Sequence, residues 1–590
     1  QDTPERALVL IRLLCKFISP DVRQRVLSTL TDTVETAPEY VLSPTNPLPA
    51  TDPGASIVTQ CDAFIRRLED GHYFERMAYD EERRDERAFG DDTWAREMDE
   101  LFAQAATAYL NSSYELAALL YGRLLGVFRH QFREGVFCGA ERPQDMVQTD
   151  TVEAKRRYLR AQFIVNDTPN QATQLLSELE RLSGVGRDDM SLSDIMGSGP
   201  DGDDALPIHE LLPSWISALH AASLENRGWS REAQRLLREA VELKSGADGL
   251  GRLARSAREK HPLAWHAWVG ALIESGRTNE AIAAAREGIV MVRDETYRAQ
   301  LADRLAGLAA LKMDDEITLE GTLSAWRAQP TNVRLLHLIA ASDALERTGR
   351  ILEREATAAL RSEWNYSEAV ACRLLLLVGK VDQAMRRFQD ADALGWGRPD
   401  HAGSVVLPWM LLAVTSFAEP PNNSALDTLW TGLDAAERTY LDRRLLLDRI
   451  EMTGPVQTIL DSPRPYSELL LEAVQTYGHK VRGSERVLDA VQLKVESAVR
   501  DILASHNRRG QILAATMTAA LAETIAIHRT EADGMAVLRR LRKNWSRFSA
   551  YVDALESARE ASPVLPQKVS AAPEEPRQDW GHADEPTQSG

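Results

Sequence analysis

The stretch LLLLVGKVDQAMRRFQDADAL, Leu374 to Leu394, decides how this chain is read. An apolar run stops at Gly379-Lys380, and Ala384, Phe388 and Ala391 follow five, nine and twelve residues after the glycine. A glycine between two helical stretches supplies the left-handed conformation in which one helix ends. Small residues then let the second helix approach the first, and the larger residue between them fills the remaining space. Placed on Gly276 in AWHAWVGALIESGRTNEAIAAAREGIV, the same template finds Ala281, Ala285 and Gly288. Placed on Gly228, it finds Ala233, Leu237 and Ala240, and a looser copy puts Ser112 at the turn with Ala117 and Tyr121 behind it.

Outward from these stretches, helical periodicity is nearly continuous and alternating strand-like runs are nearly absent. An apolar fraction of 44% with 27% charged residues belongs to a folded chain rather than a disordered one. Breakers divide the 590 residues. The Pro-rich segment Thr36–Gly54 closes an N-terminal part, 1–54, and a helical repeat-like region covers 55–181. An acidic, Gly-rich loop is expected over 182–213, the main series of helix pairs over 214–418, and a helical connector over 419–476. A basic helical module is expected over 477–561, followed by a tail, 562–590, too poor in aliphatic residues to offset the entropy of ordering. The longest apolar run, Ser404–Ala418, contains Pro408 and falls short of the roughly 20 residues that span a bilayer, so a buried helix and no membrane contact are expected.

The turn glycine, the two small residues and the larger one between them resemble the tetratricopeptide repeat. In that family the first helix of each pair carries a large residue, a small one and an aromatic before the turn. Trp265 takes the first of those places in the Gly276 copy, Ala221 the second in the Gly228 copy, and Leu224, Leu272 and Leu375 the third. The glycines 228 and 276 are 48 residues apart, and 276 and 379 are 103 apart, against a family repeat of about 34. The fold expected is therefore all-α, an irregular tetratricopeptide-like α-solenoid of antiparallel helix pairs. The resemblance implies a concave groove lined by first-helix side chains, the surface on which such arrays bind peptides. By offset from the turns, Trp215, Glu225, His266, Tyr366 and Arg373 would face it. The basic and asparagine residues with which some family members clamp a carboxylate are not at these positions. The helices near the C-terminus are loosely similar to the helical region of bacterial SWIM-type zinc-finger proteins, without the zinc motif.

Residues that could carry chemistry read more simply as structural ones. Gly197, Gly199 and Gly202 match GxGxxG, but the preceding DDMSLSDIM is no buried strand and acidic residues follow where phosphate would sit. The same loop, DGDDAL from Asp201, lacks the third acidic position of a calcium site and has Leu212 where a bidentate glutamate is needed. His261 and His266 are five apart and do not share a helical face as metal-binding histidines do at four. HExxH and GxSxG are absent. The acidic run Tyr79–Asp92 reads as a solvated helical face. No cofactor, metal or catalytic role is expected.

Four well-separated cysteines, Cys15, Cys61, Cys138 and Cys372, read as reduced, mostly buried thiols. The opening QDTPERALVLIRLLCKF lacks the parts of a signal peptide, so a cytoplasmic chain is expected. A net charge of −19 argues against general nucleic-acid binding. In LRRLRKNWSRF (Leu538–Phe548), Arg539, Arg540, Arg542 and Lys543 offer a local basic face, and Leu538, Leu541, Trp545 and Phe548 fall at the spacing of a buried helical stripe. The function expected is a non-catalytic scaffold or adaptor that binds a protein partner through the groove or the C-terminal module. The alternative is a helical subunit of a nucleic-acid-associated complex.

Overall fold

The computed structural model describes residues 53–80, 85–128, 143–166, 170–186, 190–197, 206–224, 230–257, 260–361, 367–392, 395–396, 400–415, 417–435, 464–505 and 508–566. The chain divides into two compact units, residues 1–188 and 189–590. The described residues are overwhelmingly α-helical, as the periodicity predicts.

The first unit holds α1 (Pro53–Glu69), a hairpin of β1 (Phe74–Asp80) and β2 (Asp85–Gly90), then α2 (Thr93–Leu110), α3 (Tyr114–Val127), α4 (Thr151–Val165) and α5 (Gln171–Arg181). The hairpin corrects the sequence reading of Tyr79–Asp92 as a helical face. Its strands pair antiparallel, with Met77 opposite Ala88 and Tyr79 opposite Glu86. Pairing of the two neighbouring strands satisfies backbone groups that charge periodicity says nothing about. Ser112, between α2 and α3, has φ 58°, so a non-glycine residue adopts the left-handed conformation that the template requires.

The second unit opens with α6 (Leu192–Met196), α7 (Ile208–Leu224) and α8 (Ser230–Ala257), then α9 (Pro262–Glu274), α10 (Thr278–Met291), α11 (Glu295–Leu311), α12 (Asp315–Ala328), α13 (Asn332–Asp343) and α14 (Thr348–Arg361). It continues with α15 (Glu368–Leu377), α16 (Val381–Asp390), α17 (Ala402–Val414), α18 (Ala425–Ala435) and α19 (Tyr466–Tyr477). The last four are α20 (Glu485–Ala504), α21 (Arg508–His528), α22 (Glu531–Asn544) and α23 (Ser549–Ala561). The stretch 182–213, read as loop, therefore contains α6, which is closed by a capping box from Ser191 and Asp194, and the start of α7. The tail boundary also moves, because Leu565 is buried; residues 567–590 lie outside the described residues, as do 36–52 of the Pro-rich segment.

From α7 to α17 each helix packs on the next in sequence. Helix pairs turn at Gly276, Met313, Glu346 and Gly379, with φ of 73°, 56°, 55° and 70°, at intervals of 37, 33 and 33 residues. Two of these turns were invisible to a search for glycine. The template offsets behind them are still buried: Thr318, Thr322 and Ala325 follow Met313, and Ile351 and Glu355 follow Glu346. Arginine–glutamate pairs tie successive pairs together at about one repeat of separation: Arg255 to Glu287 at 2.9 Å, Arg347 to Glu316 at 2.7 Å and Arg327 to the buried Glu355 at 2.7 Å.

Two glycines are needed for space. A Cβ on Gly321 would lie 2.6 Å from the Ala306 backbone nitrogen, so α12 rests directly on the backbone of α11. At the Gly379 turn a Cβ would strike the Tyr477 ring at 2.5 Å, and Lys480 Nζ donates to the Gly379 carbonyl at 2.6 Å. The opening stretch thus turns a helix pair and also seats the end of α19.

Helix α18 is held at both ends by buried charge. The carboxylate of Glu523, from α21, accepts from the Ala425 and Leu426 N–H groups at 3.0 Å each, and Ser424 Oγ accepts from Asp427 N at 2.9 Å. At the other end Arg373 Nη2 donates to the Leu433 carbonyl at 3.3 Å. Arg373 also donates to Asn332 Oδ1 at 3.0 Å and lies 4.7 Å over the Tyr466 ring, while Tyr466 Oη donates to the Asn332 carbonyl at 2.6 Å. Negative charge at a helix N-terminus and positive charge at its C-terminus both match the helix dipole.

Helix α21 is long and apolar enough to cross a membrane by length and composition alone. Most of it is enclosed by α17, α18, α20, α22 and α23, and residues 514–515 and 517–526 are buried. The apolar run at Ser404–Ala418 forms α17, buried from Ala402 to Gly403 and from Val405 to Val414.

Exchanging glycine for alanine inside a helix ordinarily stabilises by roughly 0.5–1 kcal/mol. Gly432→Ala, in open space on α18, should do so, whereas Gly321→Ala should lower stability by about 2 kcal/mol in urea unfolding. Burial raises the Glu523 carboxyl pKa above the ordinary range, against the hydrogen bonds from Ser562, Ala425 and Leu426. The stability tied to that carboxyl is therefore fully present below its unfolded pKa and is lost as pH rises through the folded value. Unfolding of Glu523→Gln measured from pH 4 to 8 should show a smaller loss on raising pH than the parent chain.

Candidate functional site

The residues placed in a groove by their offset from the turns do not form an open one. Trp215 and Arg373 are both 0% exposed, and His266 is 4% exposed. Arg373 is committed to the junction of α13, α15, α18 and α19 described above. Counting from a turn identifies a first-helix residue, but neighbouring pairs cover these three side chains. Glu225 and Tyr366 lie outside the described residues. In the C-terminal basic segment, Leu538, Leu541 and Phe548 are buried and Trp545 is half-buried, so the apolar stripe is a packing face. Arg540 pairs with Glu496, and Arg542 pairs with Glu556 at 2.7 Å, whereas Arg539 and Lys543 are exposed and form no ion pair among the described residues.

His266 nevertheless sits in a buried environment with basic neighbours. Its Nε2 lies 3.0 Å from the Tyr297 carbonyl oxygen, at the start of α11, and Arg304 Nη1 donates to the His266 carbonyl at 2.8 Å. Burial, with Arg304 and Arg238 nearby, pushes the imidazole pKa down to about 3. His261, at the N-terminus of α9 and 3% exposed, is also lowered by burial and then by His220, Arg238 and Lys260. Its Nε2 sits 3.4 Å from Ser223 Oγ, whose hydroxyl donates to the His220 carbonyl at 2.9 Å. Nucleophilic catalysis needs a third group to orient the base, ordinarily a carboxylate. Among the described residues the charged groups acting on His261 are all basic, and none is a carboxylate that would orient it.

Arg238, on α8, is the common neighbour of both histidines. Its Nη1 is sealed from solvent and makes no hydrogen bond. The carboxylates on either side of it along α8 are taken. Glu232 forms a fork with Arg235, whose Nε is 3.0 Å from Oε1, and Glu239 accepts from Leu192 N at 2.9 Å and Ser193 N at 3.0 Å at the start of α6. Glu242, four residues on, makes no ion pair with Arg238; burial and then Glu274 and Glu239 raise its pKa. Burial, and after it Arg235, bring the Arg238 pKa down to about 10. The sequence reading missed this residue because the i, i+4 spacing to Glu242 suggests an ordinary surface pair.

The first unit carries a cleft of about 580 Å³ between α1, α3 and α5, lined by Asp62, Glu69, Arg123 and Arg181 over a floor of Gly122 and Gly126. Its arginines are neutralised internally: Arg123 pairs with Asp62, and Arg181 Nε lies 2.6 Å from Glu178. Cys61 and Cys372 are buried free thiols, with pKa pushed up by burial to about 11 and about 12, the opposite of nucleophile activation. Cys15 and Cys138 lie outside the described residues. Among the described residues no group of three His, Cys, Asp or Glu side chains is placed to hold a metal ion. Compared with known proteins, the chain matches no family model and no curated sequence.

A neutral, buried His266 makes a prediction with a definite sign. Its folded pKa is lowered, so the stability it contributes is present above about pH 6.5 and is lost as pH falls towards 3. Its imidazole resonances should show no titration between pH 5 and 8 by NMR. His266→Gln should lose less stability than the parent chain over the same acid range.

Proposed function

We infer that the chain is a non-catalytic, cytoplasmic scaffold, an irregular tetratricopeptide-like α-solenoid that binds a protein partner. The observation that carries this reading is the recurrence of one turn conformation at residues 276, 313, 346 and 379, each joining a pair of packed helices. A series in which each helix mainly meets its neighbours gains surface with every added pair, and such surfaces serve extended recognition. The ion pairs at about one repeat of separation support it by fixing each pair against the next. Internal pairing of Arg540 and Arg542 weighs against the alternative of a nucleic-acid-binding C-terminal face.

The test is affinity capture from the native cell extract with and without nuclease, followed by hydrogen-exchange footprinting of the captured complex. The scaffold reading expects a nuclease-resistant protein and added protection within residues 208–390. Capture that vanishes with nuclease, or protection confined to α22 and α23, would replace it with the nucleic-acid reading.

A further inference from the structure

A two-stranded hairpin is marginal in water by itself and gains stability from a third strand or from a helix packed on one face. The hairpin of the first unit has neither. Beyond the irregularity between Phe74 and Arg76, β1 and β2 run in register from Arg76 opposite Phe89 to Asp80 opposite Asp85. Among the described residues no third strand joins them, and no helix packs along either strand. The base of the hairpin is fixed. Phe74 N donates to the Gly71 carbonyl at 3.0 Å and Asp91 N to the Tyr73 carbonyl at 2.9 Å. Tyr73 is buried, and its hydroxyl donates to Glu97 Oε1 at 2.8 Å. On this held base stand two outer edges whose backbone N–H and C=O groups no described strand pairs. Such edges are templates for pairing with another chain.

We propose that the outer edge of β1 pairs antiparallel with β1 of a second copy of this chain, about a two-fold axis at Ala78, to make one continuous sheet from the two hairpins. A two-fold contact is isologous, so the position of the axis fixes every register partner. Opposed residues of an antiparallel pair share a face of the sheet while successive residues alternate, so the axis falls on a residue. With the axis at Ala78, Arg76 of each copy takes the position opposite Asp80 of the other, and Met77 the position opposite Tyr79. Opposite charges then meet at both ends of the contact, an arrangement that favours cross-strand pairing. No other axis on β1 does this: at Met77, for example, Arg76 meets Ala78, Glu75 meets Tyr79 and Phe74 meets Asp80. On β2 the axis at Glu86 opposes Asp85 to Arg87 but sets Glu86 against itself, and the axis at Arg87 sets arginine against arginine. Charge that complements itself selects a second copy over an unrelated extended peptide. The contact lies in the first unit and is independent of the scaffold reading, which rests on the second.

Sedimentation velocity of the purified full chain over a wide range of concentration tests the proposal. The parent chain should pass from monomer to dimer as its concentration rises. Arg76→Asp alone, or Asp80→Arg alone, sets like charges opposite each other at both ends of the contact and should weaken the dimer roughly tenfold or more. Combining Arg76→Asp with Asp80→Arg restores opposite charges and should recover the parent affinity. Far-UV circular dichroism should show the same helix content in all of these chains. A second measurement reads the register itself. Opposed residues in an antiparallel pair stand about 4.5–5.5 Å apart between Cα atoms, within the reach of a disulfide. Ala78→Cys should therefore give a disulfide-linked dimer on mild oxidation, beyond any that the parent chain forms. A parent chain that stays monomeric leaves the edge to some other extended segment and overturns the proposal. Single reversals that leave the dimer intact, a double reversal as weak as the single ones, or no added cross-link from Ala78→Cys would overturn it equally.

Discussion

An eleven-residue helix, α18, carries the constraint on which the second unit depends. Its first exposed donors meet the Glu523 carboxylate and the Ser424 hydroxyl, and a late carbonyl meets Arg373. Both charges are 0% exposed, so neither is stabilised by water. They are tolerable because the helix termini supply the partial charges that water would have supplied. Glu523 lies in α21, the most enclosed helix of the C-terminal group, and Arg373 lies in α15, within the series of pairs. The two parts of the unit are therefore joined through the polarity of one short helix. The joint extends further, since Asp434 of α18 accepts from Ser467 N at 2.9 Å and Ser467 Oγ at 2.6 Å at the start of α19.

Much of the helical architecture was legible in the sequence, for a physical reason. A helix pair needs a left-handed residue at the turn and small or well-fitted residues behind it, and both leave local marks. Gly276, Gly379 and Ser112 were found on those marks and have the required backbone conformation. Met313 and Glu346 adopt the same conformation without being glycine, at the steric penalty of a Cβ in the left-handed region. Behind them Thr318 stands at a small-residue position of the template, and Thr322 and the ion-paired Glu355 stand at the position of the larger residue. The 103-residue interval between two glycines is thereby filled by two regular turns. The β1–β2 hairpin was missed because its charged residues carry no alternation of apolar and polar faces.

The candidate site was less legible, since sequence offsets give a position on a helix and not what covers it. Trp215, His266 and Arg373 were each placed on a first helix, and each is sealed by its neighbours. Leu538, Leu541 and Phe548 were read correctly as a buried stripe because a repeating apolar spacing reports burial directly. Arg238 left no such sign. Its Nη1 makes no hydrogen bond, while Glu232 bonds Arg235 and Glu239 bonds the start of α6 some 46 to 47 residues away. Long-range competition for a carboxylate cannot be read from i, i+4 spacing.

The most direct test of the account is native-state hydrogen exchange on the full chain, comparing amides of α18 with those of α15 and α21. If the two buried charges join the series of pairs to the C-terminal helices, α18 should exchange only with the opening of the whole second unit, at the same free energy as its neighbours. Exchange of α18 at markedly lower free energy, with α15 and α21 still protected, would show that the helix is peripheral and contradict the account.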